Sequence, residues 1–288
     1  MMLYSTNTPT VIPRVPIYEG LDMIIDAGFP LIDFTLYNHY DFALETNYKE
    51  TAKNIRSHVE GRGAAINQSH APFCSGERYL TDFVPKLPRI IEFAALLGAS
   101  CIVVHPMHES GYHYKQRERI FDLNIKMYSS LAGVAKNSGI KIGIENMWEY
   151  RPVSGIICDS ACADPYEMNR YFDALGDKDA FTVCFDVGHA ALCGREPDDC
   201  IRTIGSRIGA LHVHDVDYVS DLHTIPGHGK IDFDAVARSL ADIGYTGDLT
   251  LEADGFLKRL DVELLPSALK LMNDVARRLA DKVENYKR

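Results

Sequence analysis

The chain has 288 residues, of which 46% are hydrophobic and 24% are charged, and its formal net charge is −10. This composition is typical of a globular protein with a sizeable core, and no apolar run approaches the roughly 18 residues of a membrane-spanning helix. The net negative charge and the absence of a stripe of lysine and arginine argue against a nucleic-acid partner. Seven scattered cysteines and an N-terminus without signal-peptide features favour a cytoplasmic protein with reduced thiols.

Strand-like and helix-like segments alternate along the whole chain. Eight short apolar runs have the length of buried strands, and they lie near 2–7, 31–36, 63–69, 100–105, 140–146, 181–187, 208–214 and 247–253. Apolar residues recur at helical spacing over 15–28, 47–60, 79–98, 114–138, 164–175, 197–205, 231–244 and 264–284. Helix boundaries are indicated by Asp164-Pro165 at the fifth start, and by glycine caps at Gly28, Gly98, Gly139 and Gly244.

Eight strand–helix units in a chain of this length predict a closed (β/α)₈ barrel, formed as a single domain over residues 1–288. A doubly wound open sheet is the alternative fold. It would require a glycine-rich phosphate loop after the first strand, and Asn7-Thr8-Pro9-Thr10 does not provide one. The longest irregular stretch, 147–163, follows the fifth strand and is a candidate lid.

Six of the predicted strands end in a carboxylate or an imidazole. Because parallel barrel strands end at one rim, we expect these side chains to converge: His70, His105, Glu145, Asp186, His212 and Glu252. The last four end strands five to eight. Three carboxylates and an imidazole crowded together would repel without a cation, so the pattern predicts one divalent ion. Mixed oxygen and nitrogen ligands suit Mn²⁺, Mg²⁺, Co²⁺ and Zn²⁺ and do not choose between them.

A divalent ion at this rim indicates proton-transfer chemistry at the carbon next to a carbonyl group. Acting as a Lewis acid, it would make the neighbouring C–H acidic and stabilise an enediolate. Glu145 and Glu252 lie on different strands, so they could remove and return a proton from opposite faces of that carbon. The pattern therefore predicts an isomerase or epimerase. A metal-dependent sugar-binding protein without catalysis is the non-enzymatic alternative.

Longer motifs surround these positions and resemble the xylose-isomerase-like barrel superfamily, in particular its ketose 3-epimerases. They are Ile144-Glu145-Asn146, Phe185-Asp186-Val187-Gly188-His189, Leu211-His212-Val213-His214-Asp215, Pro226-Gly227-His228-Gly229 and Gly244-Tyr245-Thr246-Gly247. The resemblance implies that Glu145, Asp186, His212 and Glu252 bind one metal ion and that the two glutamates are the acid–base pair. It also implies substrate contacts for His189, His70 and His105.

A second branch of the superfamily, similar to endonuclease IV, leaves a different function open. That branch is a zinc phosphodiesterase on abasic DNA with three zinc ions, and its extra ligands would correspond to His70, His105, His189, Asp221 and His223. Asp221 and His223 are thus candidates for further metal or substrate contacts, with a surface turn as the alternative. His70-Ala71-Pro72-Phe73 and the residues after Glu145 depart from the nuclease pattern. Dehydration of a cyclitol or a dehydroshikimate-type acid is a third reaction that this scaffold could support.

Three cations near the predicted rim bear on whether the substrate carries a phosphate group. Lys230, Lys258 and Arg259 follow strands seven and eight, where barrels of this type commonly bind phosphate. A sugar phosphate is therefore one expectation, and a neutral sugar or cyclitol is equally open. We expect a small-molecule sugar or sugar phosphate as the ligand and no membrane partner, with homo-oligomerisation open.

Overall fold

The structure is a computed structural model, and it describes residues 1–37, 39–109 and 116–288. Ten strands lie in these residues. They are β1 (Tyr4–Asn7), β2 (Leu31–Thr35), β3 (Ala65–His70), β4 (Cys101–Val104), β5 (Lys141–Glu145), β6 (Trp148–Tyr150), β7 (Ile157–Asp159), β8 (Phe181–Asp186), β9 (Ile208–His212) and β10 (Leu249–Leu251).

Eight of the strands form one parallel sheet in the order β10-β1-β2-β3-β4-β5-β8-β9. The sheet closes on itself just beyond β9, where Val213 pairs in parallel with Leu251. The Val213 N–H donates to the carbonyl of Thr250 at 2.9 Å, and the Glu252 N–H donates to the carbonyl of Val213 at 3.0 Å. The predicted (β/α)₈ barrel is therefore confirmed.

Helices surround the barrel and bury their apolar sides against it. The main ones are Ile17–Asp26, Tyr48–Gly61, Leu87–Leu97, Arg117–Ser138, Pro165–Leu175, Pro197–Ile204, Phe233–Asp242 and Leu265–Tyr286. The predicted caps are confirmed. The Asp164 carboxylate accepts from the backbone N–H groups of Tyr166 and Glu167, and Gly98 and Gly139 adopt the left-handed conformation that ends a helix. In the described residues, no helix has the length and apolar character of a membrane span.

Three predicted segments differ from the structure. The helix predicted over 79–98 begins with a π-turn, Tyr79–Phe83, and a 3₁₀ turn, Val84–Lys86, because Pro85 and Pro88 cannot donate backbone hydrogen bonds. The stretch 147–163 contains an antiparallel hairpin of β6 and β7. The helix predicted over 114–138 starts at Arg117, and residues 114 and 115 lie outside the described residues. Short helices that the sequence did not indicate are Asp41–Leu44, Val187–Leu192 and Asp254–Leu257.

The barrel interior changes in character along its axis. A small apolar cluster, separate from the main core, consists of Cys101, Val103, Cys184 and Ala210. The buried polar and charged side chains collect instead toward the carboxyl ends of the strands. All seven cysteines lie in described residues and none forms a disulfide. The carboxyl rim is thus the part of the barrel where chemistry-bearing groups are held.

Candidate active site

The six strand-end residues predicted from the sequence meet at one rim. His70, Glu145, Asp186 and His212 are the last residues of β3, β5, β8 and β9, whereas His105 and Glu252 directly follow β4 and β10. Every one of them is buried. Parallel pairing brings the strand ends together, and Asp186 and His212 are direct register partners.

The first group, which we call the inner cluster, consists of Glu145, Asp186, His212 and Glu252. The Nδ1 atom of His212 lies 2.7 Å from Glu145 Oε1, 3.1 Å from Glu252 Oε2 and 4.0 Å from Asp186 Oδ2. One ligand-type atom from each of the four residues lies within 4.8 Å of the others. Asp186 Oδ2 is buried without a hydrogen-bond partner in the described residues. This donor set and its unpartnered oxygen fit a divalent cation.

Negative charge is concentrated in the inner cluster. Burial raises the pKa of Glu145, but attraction by His212 and His105 outweighs burial and leaves that pKa well below its ordinary value. Burial likewise raises the pKa of Asp186, while His189 and His214 lower it further than burial raises it. Both carboxyl groups are therefore ionised at neutral pH, and a bound cation would offset their mutual repulsion.

The orientation of Asp186 is fixed by its neighbours. The Asn146 side chain accepts from the Asp186 N–H at 2.7 Å and donates to the Asp186 carbonyl at 2.9 Å. Asp186 Oδ1 accepts from the His189 N–H at 2.6 Å and lies 3.1 Å from His214 Nε2. A Cβ atom at Gly188 would come within 2.1 Å of the His214 ring, so the position requires glycine. Asp186 Oδ2 consequently stays free to face the other three residues.

His70 and His105 share the remaining oxygen of Glu145. Glu145 Oε2 lies 2.8 Å from His105 Nε2 and 3.3 Å from His70 Nε2, and the two Nε2 atoms are 3.0 Å apart. His70 Nδ1 donates to the carbonyl of Ala71 at 2.8 Å. Burial lowers the pKa of His105 to about 3, despite the opposing attraction of Glu145, so the ring is neutral.

A second group, the outer cluster, consists of His189, His214, Asp221 and His223. His223 Nε2 lies 3.2 Å from the Asp221 carboxylate, its Nδ1 donates to the backbone carbonyl of Glu252 at 2.8 Å, and its ring stacks on His214 with centroids 4.0 Å apart. Burial lowers the pKa of His223, but hydrogen bonds to Asp221 and Asp254 raise it well above its ordinary value. Asp221 and His223 are less buried than the inner cluster, each with 21% of its side chain exposed.

A cavity of about 1090 Å³ opens over this rim. Glu145 and Glu252 line it, together with His105, His189 and His223, whereas His70, Asp186 and His212 do not. All three residues of β6 also line it, so the stretch predicted as a candidate lid does border the cavity. Aromatic side chains supply much of the remaining surface: Tyr37, Phe73, Trp148, Tyr150 and Phe256.

Two residues that the sequence reasoning missed contact the inner cluster. Asp33 is 1% exposed, and its Oδ2 accepts from Gln68 Nε2 at 3.1 Å and lies 3.8 Å from His212 Nε2. Burial, partly opposed by His212 and His70, raises the pKa of Asp33 to about 6. The Tyr37 hydroxyl donates to Glu252 Oε1 at 3.1 Å. A charged residue inside the apolar run Leu31–Thr35 was a signal for Asp33, whereas the sequence around Tyr37 carried none.

Comparison with known proteins places the chain in a family. Residues 21–273 match the family described as xylose isomerase-like TIM barrel, and the chain belongs to it. The uncharacterized protein MJ1311 of Methanocaldococcus jannaschii is 28% identical over 249 residues, which cover 83% of this chain and 82% of that protein. An inosose dehydratase of Clostridium botulinum is 24% identical over 192 residues, covering 57% of this chain and 60% of the dehydratase.

Solved structures share the fold over almost the whole chain. A D-tagatose 3-epimerase-like protein has a TM-score of 0.70 and 23% identity, covering 95% of this chain and 99% of that one. The IOLI protein with a bound zinc atom has a TM-score of 0.76 and 16% identity, covering 99% of both chains. At these identities the likeness establishes the barrel fold alone.

Proposed function

We propose that the chain is a divalent-metal-dependent isomerase or epimerase of a sugar or sugar phosphate, with one ion held by Glu145, Asp186, His212 and Glu252. One observation carries the proposal. Two of these four residues, Glu145 and Glu252, line the cavity, whereas Asp186 and His212 lie behind them. This division supports two roles: all four side chains hold the ion, and only the two glutamates also reach a substrate.

The two glutamates approach the cavity from well-separated strands. Glu145 ends β5 and Glu252 follows β10, and two barrel strands lie between β5 and β10 in one direction and four in the other. A substrate between them would present opposite faces of one carbon, so one glutamate removes a proton and the other returns it. When bound, the cation would polarise the adjacent carbonyl and stabilise the negative charge that develops on proton removal.

Other lining residues would position the substrate. His105 is neutral and His189 reaches the cavity from the helix Val187–Leu192, so both can hydrogen-bond to hydroxyl groups. Tyr37 holds one Glu252 oxygen and thereby orients the carboxylate. His70 does not line the cavity, so in this proposal it does not touch the substrate. It contacts His105 and Glu145 and would position those two side chains. Mn²⁺, Mg²⁺, Co²⁺ and Zn²⁺ all suit the ligands.

A zinc phosphodiesterase acting on abasic DNA is the second candidate function. The observation that favours it is the presence of two further groups beside the inner cluster, His70 and His105 with Glu145, and His189 with Asp221 and His223. With the inner cluster they would hold up to three zinc ions. Dehydration of a cyclitol is a third candidate, supported by the likeness to inosose dehydratase, and it would use the same proton removal.

Solvent-isotope exchange separates these candidates. The protein, loaded with each of the four metals in turn, is incubated with a panel of ketoses and with an inosose in D₂O. The proposal predicts deuterium at the carbon next to a ketose carbonyl, and a large loss of isomer or epimer formation with Glu252→Gln. Loss of water from the inosose would favour the dehydratase. No exchange on any ketose, together with nicking of an abasic duplex, would overturn the proposal in favour of the nuclease.

A further inference from the structure

We propose that the substrate of this cavity is anionic, and that its phosphate or carboxylate group binds Lys258 and Arg259. The inference rests on the proposed function, because it names the substrate class of the same site. It goes beyond that function because proton transfer between the two glutamates does not itself require a charged substrate.

Two adjacent cations stand on the cavity wall without an internal partner. Lys258 and Arg259 follow the short helix Asp254–Leu257 after β10, and both line the cavity. Both side chains are exposed, and neither pairs with an acidic residue within the described parts of the chain. The nearby carboxylate of Asp254 is occupied, since it accepts from Thr10 and lies 3.4 Å from His223 Nδ1.

Other arginines near the rim show the opposite arrangement. Arg195 forms a bidentate pair with Asp159, Arg117 pairs with Glu167 at 2.7 Å, and Arg119 contacts Glu109 at 3.0 Å. In a chain with a net charge of −10, carboxylate partners are plentiful. Two neighbouring positive charges that face a cavity without such a partner therefore form a site for an anion from outside, and a guanidinium group matches phosphate or carboxylate in two parallel bonds.

The cavity is polarised in a way that fits such a molecule. Glu145 and Glu252 line it at the strand ends, whereas Lys258 and Arg259 line it from the segment after β10. This is the loop where barrels of this type commonly bind phosphate. His228, whose ring lies 5.9 Å from that of Phe256, also lines this side, whereas Lys230, the third cation indicated by the sequence, does not.

The loop that carries the cations is tied to the rest of the site. The Phe256 N–H donates to the carbonyl of His223 at 3.1 Å, and His223 in turn donates to the carbonyl of Glu252. A group held by Lys258 and Arg259 would thus be positioned relative to the catalytic carboxylate by a short chain of hydrogen bonds. Binding the anion would direct the opposite, carbonyl-bearing end of the substrate toward the two glutamates.

Calorimetric titration of the metal-loaded protein tests the inference. The probes are D-fructose 6-phosphate, D-fructuronate and D-fructose, which differ in the anionic group. The double variant Lys258→Ala/Arg259→Ala removes the site, and Lys270→Ala/Arg278→Ala removes two exposed cations from the outer helix Leu265–Tyr286 as a control of equal charge change. We expect wild type and control to bind an anionic probe roughly 10- to 100-fold more tightly than D-fructose, and the double variant to lose that preference.

The outcomes are distinct. A preference for the phosphate or for the carboxylate probe identifies the source of the anion, and its weakening by added salt supports a charge interaction. Equal affinity for all three probes in wild type, or a preference that survives in the double variant, would overturn the inference. If D-fructose still exchanges deuterium in that case, the proposed function stands without it. If no ketose exchanges while the anion preference is lost in the double variant, the anion site stands and the proposed reaction falls.

Discussion

The inner and outer clusters both consist of histidines and carboxylates, but they differ in the ratio of the two and in net charge. In the inner cluster, three carboxylates face one imidazole, and Asp186 Oδ2 has no hydrogen-bond partner in the described residues. In the outer cluster, His223 is bonded to Asp221 and lies beside Asp254, so its positive charge is already compensated. Ligand-type residues at one rim are therefore not equivalent, because only the inner cluster has negative charge that its own side chains leave unbalanced.

The largest expected effect separates chemistry from metal binding within the inner cluster. Glu252→Gln removes a proton-transfer group but retains an oxygen that can face a cation. We expect turnover to fall about 10²- to 10⁴-fold, as is typical when a general acid or base is lost. Metal content is measured alongside as the control. Turnover at the wild-type level would exclude Glu252 from the proposed mechanism.

A change at Asp186 tests metal holding directly, because this residue does not line the cavity. Asp186→Asn keeps the helix cap, since its amide oxygen can still accept from the His189 N–H. We expect metal affinity to fall by more than about 100-fold, which is the upper end of the loss seen when a residue that only hydrogen-bonds to a metal ligand is changed. Turnover should fall in parallel. Competition with a chelator gives the affinity. Unchanged affinity would remove Asp186 from the proposed ligands.

Asp33 contacts the inner cluster from the side of His212 that faces away from the three carboxylates. Its carboxylate lies 3.8 Å from His212 Nε2, an atom with no hydrogen-bond partner in the described residues, and a carboxylate there would orient a metal-binding imidazole. We expect Asp33→Asn to weaken metal binding about 10- to 100-fold. Asp248→Asn is the matched control, because Asp248 also accepts from an amide, Asn67, but precedes β10 at the far end of that strand. Equal effects of the two changes would contradict the assigned role.

The smallest effect is expected in the outer cluster. Asp221→Asn weakens the partner of His223 but leaves all four inner-cluster residues in place. We expect the number of tightly bound ions to stay the same and turnover to change by less than about tenfold. Elemental analysis after dialysis measures the first quantity. The loss of one ion per chain would favour the nuclease interpretation, in which Asp221 is a ligand.

The sequence predicted the barrel and the convergence at its rim for one reason. Eight apolar runs alternating with helical patterns define parallel strands, and the ends of parallel strands share a rim, so the positions of Glu145, Asp186, His212 and Glu252 follow from topology alone. The helix boundaries at Asp164 and Gly139 were also predictable, because a cap residue marks a helix end in the local sequence. Assignment of residues 1–288 to a single domain stays a prediction.

Features that depend on loop packing were not predictable in the same way. The hairpin of β6 and β7 consists of two three-residue strands, too short for a periodic signal. Whether His70 or His105 faces the cavity depends on ring contacts with Tyr37 and Phe73, which come from loops. His223 reaches the outer cluster with a φ of 43°, a left-handed conformation that no residue pattern indicated.

The most direct test of the proposed metal centre is the number of divalent ions that each chain binds tightly. The measurement is elemental analysis of wild type and Asp186→Asn after saturation with Mn²⁺ or Zn²⁺ and exhaustive dialysis. We expect about one ion per wild-type chain and none in the variant. Three ions per wild-type chain, or one ion that persists in Asp186→Asn, would contradict a single metal centre held by the inner cluster.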